Sequence, residues 1–462
     1  MLDKHLVQDV LTAALSTGGD FAELFVENNA KNNIAMVGGV IEKALTGVDY
    51  GAGLRIFNGT NAVYAYTNDT ARENLLRVAL EAARALKGTP HVTVLPFVKL
   101  AYPVVHVFRD LPGGDKSRLA GMLKTASDAA KAVGPVIAQT SGQYTDSIQD
   151  VLIANSEGLW AEDRRVYTRL SFQAVAANET EKQTASFSPG CLSGLEFYEG
   201  FDWKTMGAQA AETAATMLSA PVAPSGKMPV VIGPGFGGVI LHEACVHSLE
   251  ATFIAKGASV FCGKLGQPIA SEIVTAVDDG TMPNEWGSLH IDDEGTPTKR
   301  NVLVENGVLK TYLVDRLNGL KMGTPSTGSA RRESYRYAPT SRMTNTFFAP
   351  SEGVTTPEDV VAATDYGLYA KKMGGGSVNP ATGEFNFAVE EAYLIRGGKV
   401  AGPVRGATLI GRGSEVLMNI DRIASADWSQ AQGMCGSLSG SVPTNVGQPT
   451  IRVSEMIVGG RG

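Results

Sequence analysis

The sequence predicts an α+β fold, with an N-terminal α+β domain over residues 1–222 and a β-rich, mostly antiparallel C-terminal domain over residues 223–462. In the first half, segments with helical periodicity alternate with strand-like stretches. In the second half, short strands are separated by tight turns. The stretch "SAPVAPSGKMP" at 219–229 interrupts both patterns and marks the predicted boundary.

Four segments of the first half have apolar residues at helical spacing. They are "MLDKHLVQDVLTAALSTGGD", "ARENLLRVALEAARALKG", "DKSRLAGMLKTASDAAKAVG" and "WKTMGAQAAETAATMLSA". Between them lie the strand-like segment 21–37 and the stretches "GLRIFNGTNAVYAYT" and "DVLIANSEGLWAEDRRVYTRLSFQAVAA", in which "FNGTN" and "NSEG" predict hairpin turns. The order of helix, strands and helix occurs twice, which suggests a loose internal duplication.

The second half contains three clear strand-rich stretches. They are "KRNVLVENGVLKTYLVD", "EFNFAVEEAYLIRGGKVAGPV" and "TIRVSEMIVGG". The centres of "VENGVL" and "IRGGKV" are the Asn-Gly and Gly-Gly pairs that two-residue hairpin turns favour. Only two helices are predicted here, one around a histidine-rich stretch near residue 245 and one following "TTPEDVV".

Composition limits the classes of function and the cellular setting. The 462 residues, 44% of them hydrophobic, can bury substantial cores. A net charge of −7 without any dense Lys/Arg run argues against direct binding of nucleic acid. Four irregularly spaced cysteines argue against a disulfide framework. The opening segment lacks the features of a signal peptide, and the longest apolar run is too short to span a bilayer. We therefore expect a soluble, cytoplasmic protein without a membrane partner.

The stretch "LHEACVHSLEA" at 241–251 holds His242, Glu243 and His247, which is the H-E-x-x-H pattern of zinc hydrolases with one extra residue. Residues i and i+5 differ by about 140° around a regular α-helix, so the two imidazoles would point to different sides. One π-type turn would bring them to about 50° apart, and such turns occur mostly at functional sites. We therefore predict a metal site with a π-type defect in its helix. The alternative is two unrelated histidines on a half-buried helix.

A catalytic metal usually has three protein ligands, so a third must come from elsewhere in the chain. The candidates are Cys435, Cys262, Cys245, His290 or a carboxylate. We interpret Cys245 as a packing residue, Cys262 in "SVFCGK" as a buried strand residue, and His290 as a non-ligand. Cys435 lies in "SQAQGMCGSLSGSVPTNVGQP", which reads as a long loop without a hydrophobic pattern. Because a cysteine there has no evident packing role, Cys435 is the favoured third ligand.

Several other features have a functional and a structural interpretation. The pattern Gly233-x-Gly235-x-x-Gly238 is formally a dinucleotide fingerprint, but Pro234 interrupts it and no clear β-α-β unit follows. Close approach of this loop to a substrate or to another strand explains the glycines better. An oxidoreductase that uses this loop remains an alternative function.

Polar segments around the motif have less specific patterns. Glu250 could orient a ligand or lie on a solvated helix face. The acidic residues at 292–294 read as a solvated turn. The stretch "RRESYRYAPTSRMTN", with Arg331, Arg332, Arg336 and Arg342, could bind carboxylates or the main chain of a peptide, or form a polar loop or a subunit contact. "NPATGEFNF" predicts a hairpin whose edge could accept an extended peptide strand.

The chain resembles the TldD/PmbA family of metallopeptidases. The likeness rests on "HEACVHSLEA", "YLVDRLNGLKMGTPSTGSARRESYRYAPTSRMTNTFF", "VNPATGEFNFAVEEAYLIRGGK" and "GMCGSLSGSVPTNVGQPTIRVSEMIVGG". It covers essentially the whole chain and is strongest after residue 225. The H-E-x-x-x-H motif indicates the TldD-like branch, since PmbA (TldE)-like subunits lack it. Val246 stands where many relatives have glycine.

The resemblance implies a zinc-dependent peptidase that degrades or trims unstructured peptides. By that likeness His242, His247 and Cys435 hold Zn²⁺ and Glu243 is the catalytic carboxylate, which acts as general base. The family also implies pairing with a PmbA (TldE)-like subunit, and self-association as a homodimer is the other possibility. The competing interpretation is a non-catalytic or regulatory subunit with a structural metal site, although such a site has no use for Glu243.

Overall fold

The computed structural model describes residues 2–90, 93–112, 115–379 and 381–460. It confirms the α+β class, because a layer of helices on a sheet is followed by a region built mainly of antiparallel strands. Within the described residues, the sheets of the two predicted domains share no strand. The exact boundary between residues 222 and 223 stays a prediction.

The N-terminal region contains the predicted helices, each close to its expected place. They are α1 (Lys4–Ala14), α2 (Arg72–Ala83), α3 (Lys116–Ala132) and α4 (Trp203–Ser219). The side chains of Asp3, Asp115 and Asp202 accept backbone N–H groups at the starts of α1, α3 and α4. Such caps satisfy donors that a helix cannot pair internally.

The N-terminal strands form one sheet around a central antiparallel pair. They are β1 (Phe21–Val37), β2 (Val40–Asn58), β3 (Asn61–Thr67), β4 (Val98–Lys99), β5 (Ile137–Asn155), β6 (Leu159–Ala177), β7 (Lys182–Phe187) and β8 (Gly190–Cys191). The order is β3-β2-β1-β5-β6-β4, with β7 and β8 also paired to β6. Two α-β-β-β-α units, α1 to α2 and α3 to α4, therefore meet at the β1–β5 pair, in agreement with the predicted duplication. Both predicted hairpin turns are present, with Gly59 and Gly158 at positive φ.

The two faces of this sheet have different partners. Because side chains alternate along a strand, residues such as Ile34, Tyr144 and Leu170 share the face that packs on Leu123 of α3 and Ala211 of α4. The other face is turned toward the C-terminal region. At one end of that face Phe25, Val151 and Ile153 pack against Ile291 and Tyr335.

The C-terminal strands form two larger sheets and one short ribbon. They are β9 (Gly226–Ile232), β10 (Ala276–Asp279), β11 (Arg300–Glu305), β12 (Val308–Leu309), β13 (Ala330–Arg331), β14 (Thr340–Ser341), β15 (Asn345–Phe348), β16 (Tyr366–Asn379), β17 (Glu384–Arg396), β18 (Lys399–Val404), β19 (Thr408–Arg412), β20 (Ile420–Ile423), β21 (Ser429–Ser437), β22 (Gly440–Gln448) and β23 (Ile451–Gly459). One sheet has the order β12-β11-β10-β15-β22-β21 and the other β16-β9-β23-β19-β17-β18, with β20 on β23 and β13 paired to β14. Only β15–β22 and β9–β16 are parallel among the paired strands of these described sheets.

Short helices connect these strands. They are α5 (Val239–Ala244), α6 (Ala251–Ile254), α7 (Arg316–Met322), α8 (Pro357–Ala362) and α9 (Gly413–Met418). The helix predicted to follow "TTPEDVV" lies within that stretch instead, as α8, and Thr356 and Asp359 form a capping box at its start. The predicted Asn-Gly and Gly-Gly hairpins join β11 to β12 and β17 to β18. The predicted "NPATGEFNF" hairpin joins β16 to β17, with residue 380 outside the described residues.

The acidic segment 292–294 is buried, so the prediction of a solvated turn is wrong. Asp292, Asp293 and Glu294 are 0%, 1% and 5% exposed. Backbone N–H groups of Glu294, Thr296 and Ala330 donate to the Asp292 carboxylate. The other two carboxylates meet arginines of the N-terminal strands, which the local sequence cannot reveal.

Buried ion pairs connect the two regions of the chain. Arg55 on β2 lies 3.0 Å from Glu23 and 2.7 Å from Glu294. Arg332 lies 2.9 Å from the same Glu23, and Arg165 on β6 lies 2.7 Å from Asp293. All the side chains in these pairs are at most 5% exposed.

We expect Arg55→Met to lower the free energy of unfolding by about 3–5 kcal/mol, because it leaves the buried carboxylates of Glu23 and Glu294 without their shared cation. Urea denaturation measures the change. Arg77→Met removes an exposed pair with Glu81 on α2 and should change the unfolding free energy by less than about 1 kcal/mol. Equal losses for the two variants would show that the buried network contributes no more than a surface pair.

Candidate metal centre

The two histidines lie on consecutive short helices that follow a glycine-rich loop. Strand β9 leads into a 3₁₀-helix at Gly235–Gly238, and α5 then carries His242 and Glu243. Helix α5 ends at Ala244, Cys245 adopts φ −128° and ψ −61°, and a second 3₁₀-helix at Val246–Leu249 carries His247. The predicted π-type turn is therefore wrong. One non-helical residue followed by a tighter helix brings the imidazoles together, with ring centroids 4.9 Å apart.

Close backbone contacts hold both ends of α5. A Cβ on Gly238 would lie 2.5 Å from the backbone of Gly447 on β22, and one on Gly413 would lie 1.7 Å from the carbonyl oxygen of Ala244. The glycine-rich loop thus packs against a strand, as one interpretation of the sequence expected. Val246 has negative φ, since among the described non-glycine residues only Asn284 and Asn306 have positive φ. A β-branched residue therefore fits this position without strain.

Cys435 lies on β21, so the prediction of a long loop around it is wrong. Strands β21 and β22 form a continuous antiparallel hairpin, in which Cys435 pairs with Val442. Their many Gly, Ser and Gln residues hide the alternation that a strand normally shows. The hairpin turns the Cys435 side chain inward, where it is 4% exposed.

His242, His247 and Cys435 meet in one buried cluster. The Cys435 Sγ lies 3.3 Å from His242 Nε2 and 3.3 Å from His247 Nε2. One potential ligand atom from each residue lies within 4.8 Å of the other two. Two Zn–N bonds of about 2.1 Å and a Zn–S bond of about 2.3 Å in a tetrahedral site imply N–S separations of about 3.6 Å. The donor types and their spacing therefore fit a zinc ion.

The other candidate ligands lie away from this cluster. Cys245 packs in the C-terminal core, as predicted, and burial raises its thiol pKa to about 12. Cys262 is half-buried in a turn, so its predicted place in a strand is wrong. Nδ1 of His290 donates to Asp163 at 2.9 Å. All four cysteines are free thiols.

Residues that sequence reasoning did not single out, or left ambiguous, orient the two imidazoles. The Thr346 hydroxyl lies 3.2 Å from His242 Nδ1 and donates to the carbonyl oxygen of Asn445. Since that hydroxyl has one proton, its oxygen accepts from His242 Nδ1–H, which turns Nε2 toward Cys435. Nδ1 of His247 lies 3.1 Å from Glu250 Oε1. Of these two partners, only Glu250 had a sequence signal, its position shortly after the motif.

The charged groups of the cluster shift each other's pKa values. Burial alone would raise the pKa of the Cys435 thiol, but His242 and His247 lower it well below its usual value. Burial alone would lower the pKa of His247, but Cys435 and Glu250 raise it well above its usual value. A thiolate beside imidazoles is the form in which cysteine binds a metal.

Arg342 is fully buried and joins the cysteine hairpin to the histidine helix. Its guanidinium donates to the carbonyl oxygens of Cys435 and Gly440 and to the Ser439 hydroxyl. Its Nε lies 3.8 Å from Glu250 Oε1. Of the four arginines in "RRESYRYAPTSRMTN", Arg331, Arg332 and Arg342 are buried and bonded internally. Arg336 forms an exposed pair with Asp49.

Glu243 lies at the margin of the cluster and is the more accessible of its two carboxylates. Its side chain is 20% exposed, whereas that of Glu250 is 0% exposed. Its Oε2 lies 3.7 Å from His247 Nε2. The carboxylate therefore borders the space that the three donor atoms face.

Comparison with known domain families gives matches along most of the chain. The PmbA/TldA metallopeptidase domain 1 matches residues 22–86, the central domain of that family matches 108–218, and its C-terminal domain matches 225–460. A "Metalloprotease TldD homolog" from Haemophilus influenzae is 36% identical over 96% of this chain and 93% of its own length. The chain belongs to the PmbA/TldD metallopeptidase family, in its TldD-like branch.

Further relatives extend the family to archaea and to solved structures. A "Metalloprotease" of Methanothermobacter thermautotrophicus is 32% identical over 96% of both chains. A "Zinc metalloprotease TldD homolog" of Saccharolobus solfataricus is 26% identical over 96% of this chain and 97% of its own. The crystal structure of TldE from Thermococcus kodakarensis has a TM-score of 0.73 at 18% identity and covers 98% of this chain and 99% of its own, which shows the shared fold.

Within the part of the chain that the structure describes, no helix is both long and apolar enough to cross a bilayer.

We expect Thr346→Val to weaken metal binding at this cluster by about tenfold or more, because the His242 ring loses the acceptor that orients it while side-chain volume is kept. Competition with a coloured zinc chelator measures the affinity. Thr408→Val, on strand β19 of the other C-terminal sheet, is the matched control and should bind zinc as the parent does. Unchanged affinity in Thr346→Val would mean that the hydroxyl plays no part in orienting the ligand.

Proposed function

We propose that the protein is a zinc-dependent peptidase in which His242, His247 and Cys435 hold the metal and Glu243 is the general base. The observation that carries the proposal is the convergence of two imidazoles and one thiol within 4.8 Å, bordered by an accessible carboxylate. A purely structural zinc site is usually closed by four protein ligands. Three protein donors beside a carboxylate instead suit hydrolysis.

The preference for zinc rests on the chemistry of the donors. Imidazole and thiolate together suit zinc, while carboxylate and carbonyl oxygens suit magnesium, calcium and manganese. The relative in Saccharolobus solfataricus that is named a zinc metalloprotease supports the same choice. Zinc in such a site polarises a carbonyl group and activates water near neutral pH.

The protein's own groups would position the reactants and move one proton. Glu243 Oε2 would accept the proton of the attacking water and later donate it to the leaving amine nitrogen. Thr346 and Glu250 would hold the imidazoles so that both Nε2 atoms face the same space. Arg342 would keep the Cys435 strand in place by binding its carbonyl oxygen.

We infer that the substrate is an unstructured peptide that binds in an extended form. In the described part of the chain, β21 is an outer strand of its sheet and β16 has no partner along 374–379 on the side away from β17. Such edges can bind a peptide main chain with little dependence on its sequence. On β21, Trp286 and Arg342 already donate to the carbonyl oxygens of Gly433 and Cys435, so the edge of β16 is the one open to a peptide.

We also propose that the chain acts in the cytoplasm as part of a dimer. The fold match to a TldE protein supports a TldE-like partner, and a homodimer is the alternative. The free thiols suit a reducing compartment.

We expect Glu243→Gln to retain zinc but to lose peptide hydrolysis by at least about 10²-fold, because the amide cannot accept the water's proton. Metal content and cleavage of an unfolded protein substrate are measured together. Glu212→Gln, at an exposed position on α4, is the matched control. Normal turnover by Glu243→Gln would remove Glu243 from the mechanism. A zinc-loaded parent without any cleavage would favour the non-catalytic subunit.

A further inference from the structure

A cavity of about 550 Å³ with several charged side chains in its lining lies between the N-terminal sheet and the β21–β22 hairpin. Its floor is formed by side chains at odd-numbered positions of β1, β5 and β6, which share one face of the sheet. Its roof includes Pro443 of the hairpin and the side chains of Trp286 and Arg331. Both regions of the chain therefore build this site, and a volume of this size accommodates a short peptide segment.

Three cations of the cavity lack a carboxylate partner. Lys31, Arg169 and Arg331 have no carboxylate oxygen within 4.0 Å among the described residues. The other two cations that line it are engaged, since Arg165 pairs with Asp293 and Arg332 with Glu23.

The acidic side chains that line the cavity, three against five cations, form no ion pair with these three, and the nearby Glu27 interacts with Lys31 only at longer range. Asp293 is held by Arg165 and by the backbone N–H of Arg332. Glu333 is exposed and accepts from the backbone N–H of Ser441. Asp146 accepts from Asn32. The cavity thus has a surplus of positive charge.

Neutral contacts hold the two arginines in place. Arg169 donates to the Ser188 hydroxyl at 2.8 Å and to the carbonyl oxygen of Gln432 at 3.1 Å, and its guanidinium lies 5.5 Å from the centre of the Trp286 ring. Arg331 donates to the carbonyl oxygens of Met343 and Pro443. These contacts fix the guanidinium groups without an ion pair to either of them, which suits an anionic ligand.

One buried acceptor in the same cavity also lacks a partner. Asn29 is 5% exposed, and its Nδ2 donates to Glu27 while its Oδ1 accepts no hydrogen bond from the described residues. Leaving such an acceptor unpaired is unfavourable, so a ligand with an N–H donor would be stabilised there. A carboxylate and an N–H group in one ligand are the chemistry of a peptide.

The cavity and the metal centre lie on either side of one hairpin. Cys435 turns its side chain toward the histidines, while its neighbour Met434 and the strand partner of Met434, Pro443, line the cavity. Arg169 and Trp286 both donate to backbone carbonyl oxygens of β21. A ligand bound to Arg169 would therefore lie beside the strand that carries the sulfur donor.

We propose that this cavity binds a peptide segment through its carboxylate, with Arg169, Arg331 and Lys31 as the anion site and Asn29 as an acceptor for an amide N–H. The carboxylate is that of the C-terminus or of an acidic side chain. The proposal rests on the proposed function only in treating the bound peptide as substrate or product, because binding itself needs neither metal nor cleavage.

Calorimetric titration of the full-length, metal-free protein tests the proposal with three peptides of otherwise identical neutral sequence. One ends in a free carboxylate, one in an amide, and one in an amide with an internal glutamate. At least one of the two carboxylate-bearing peptides should bind about tenfold or more tightly than the neutral amide. The peptide that gains affinity identifies the source of the carboxylate. Equal affinities for the three peptides, or no binding of any, would overturn the proposal.

Variants locate the binding site. Arg169→Met should weaken binding of the carboxylate peptide by about tenfold or more. Lys31→Met, at an exposed position, should also weaken this binding. Arg164→Met is the matched control, because Arg164 lies on the same strand, pairs with Asp150 and is outside this cavity. Parent-like affinity in both Arg169→Met and Lys31→Met would overturn the assignment to this cavity.

The result of the peptide-binding experiment can be distinguished from the result of the test for peptidase activity. Carboxylate-dependent binding by a protein that cleaves no peptide would support the cavity and contradict the peptidase. Peptide cleavage together with equal affinities for the carboxylate and amide peptides would support the peptidase and contradict the proposed role of the cavity.

Discussion

The geometry of the candidate metal centre depends on one buried guanidinium, that of Arg342. Its donor nitrogens bind the carbonyl oxygens of the β21–β22 hairpin, and its Nε faces Glu250, which holds the His247 ring. Cys435 and His247 are 188 residues apart in sequence, so no local structure brings them together. A fully buried cation is stable only with its partners in place. The hydrogen bonds that the Arg342 guanidinium donates therefore help to place the sulfur beside the imidazoles.

The geometry around this cation also explains why the helix must break. A regular helix through residue 247 would turn the second imidazole away from the first. The irregular conformation of Cys245 and the following 3₁₀-helix bring both Nε2 atoms to the same sulfur. Close contacts of Gly238 with β22 and of Gly413 with Ala244 hold the helix rigidly before the break. Rigid support of this kind keeps metal donors in one geometry.

The N-terminal region packs against the region that carries the candidate ligands His242, His247 and Cys435. None of these three ligands comes from the N-terminal region itself. Its sheet places helices on one face and a polar wall on the other, and buried ion pairs through Arg55, Arg165 and Arg332 hold that wall against the C-terminal region. These charges form ion pairs across the interface, whereas Lys31, Arg169 and Arg331 in the cavity form no ion pair within the described residues. The interface thus determines both the relative position of the two regions and the chemistry of the space between them.

Local patterns in the sequence determined the α+β class, the N-terminal helices and the hairpins at Asn-Gly and Gly-Gly. They also supplied the candidate site residues His242, Glu243, His247 and Cys435. Periodicity, turn chemistry and the type of donor atom are properties of short segments, so the sequence alone reveals them. Only the tertiary structure decided that 429–448 is a hairpin, that residues 292–294 are buried, that Cys245 breaks the helix, and that Thr346 and Arg342 support the centre. The hairpin pairs locally but lacks the alternating pattern of a strand, and each of the other features depends on a partner more than 90 residues away or on a backbone contact without a side-chain signal. Long-range pairing of buried charges and close approach of glycines leave no period in the sequence, so the fold alone reveals them.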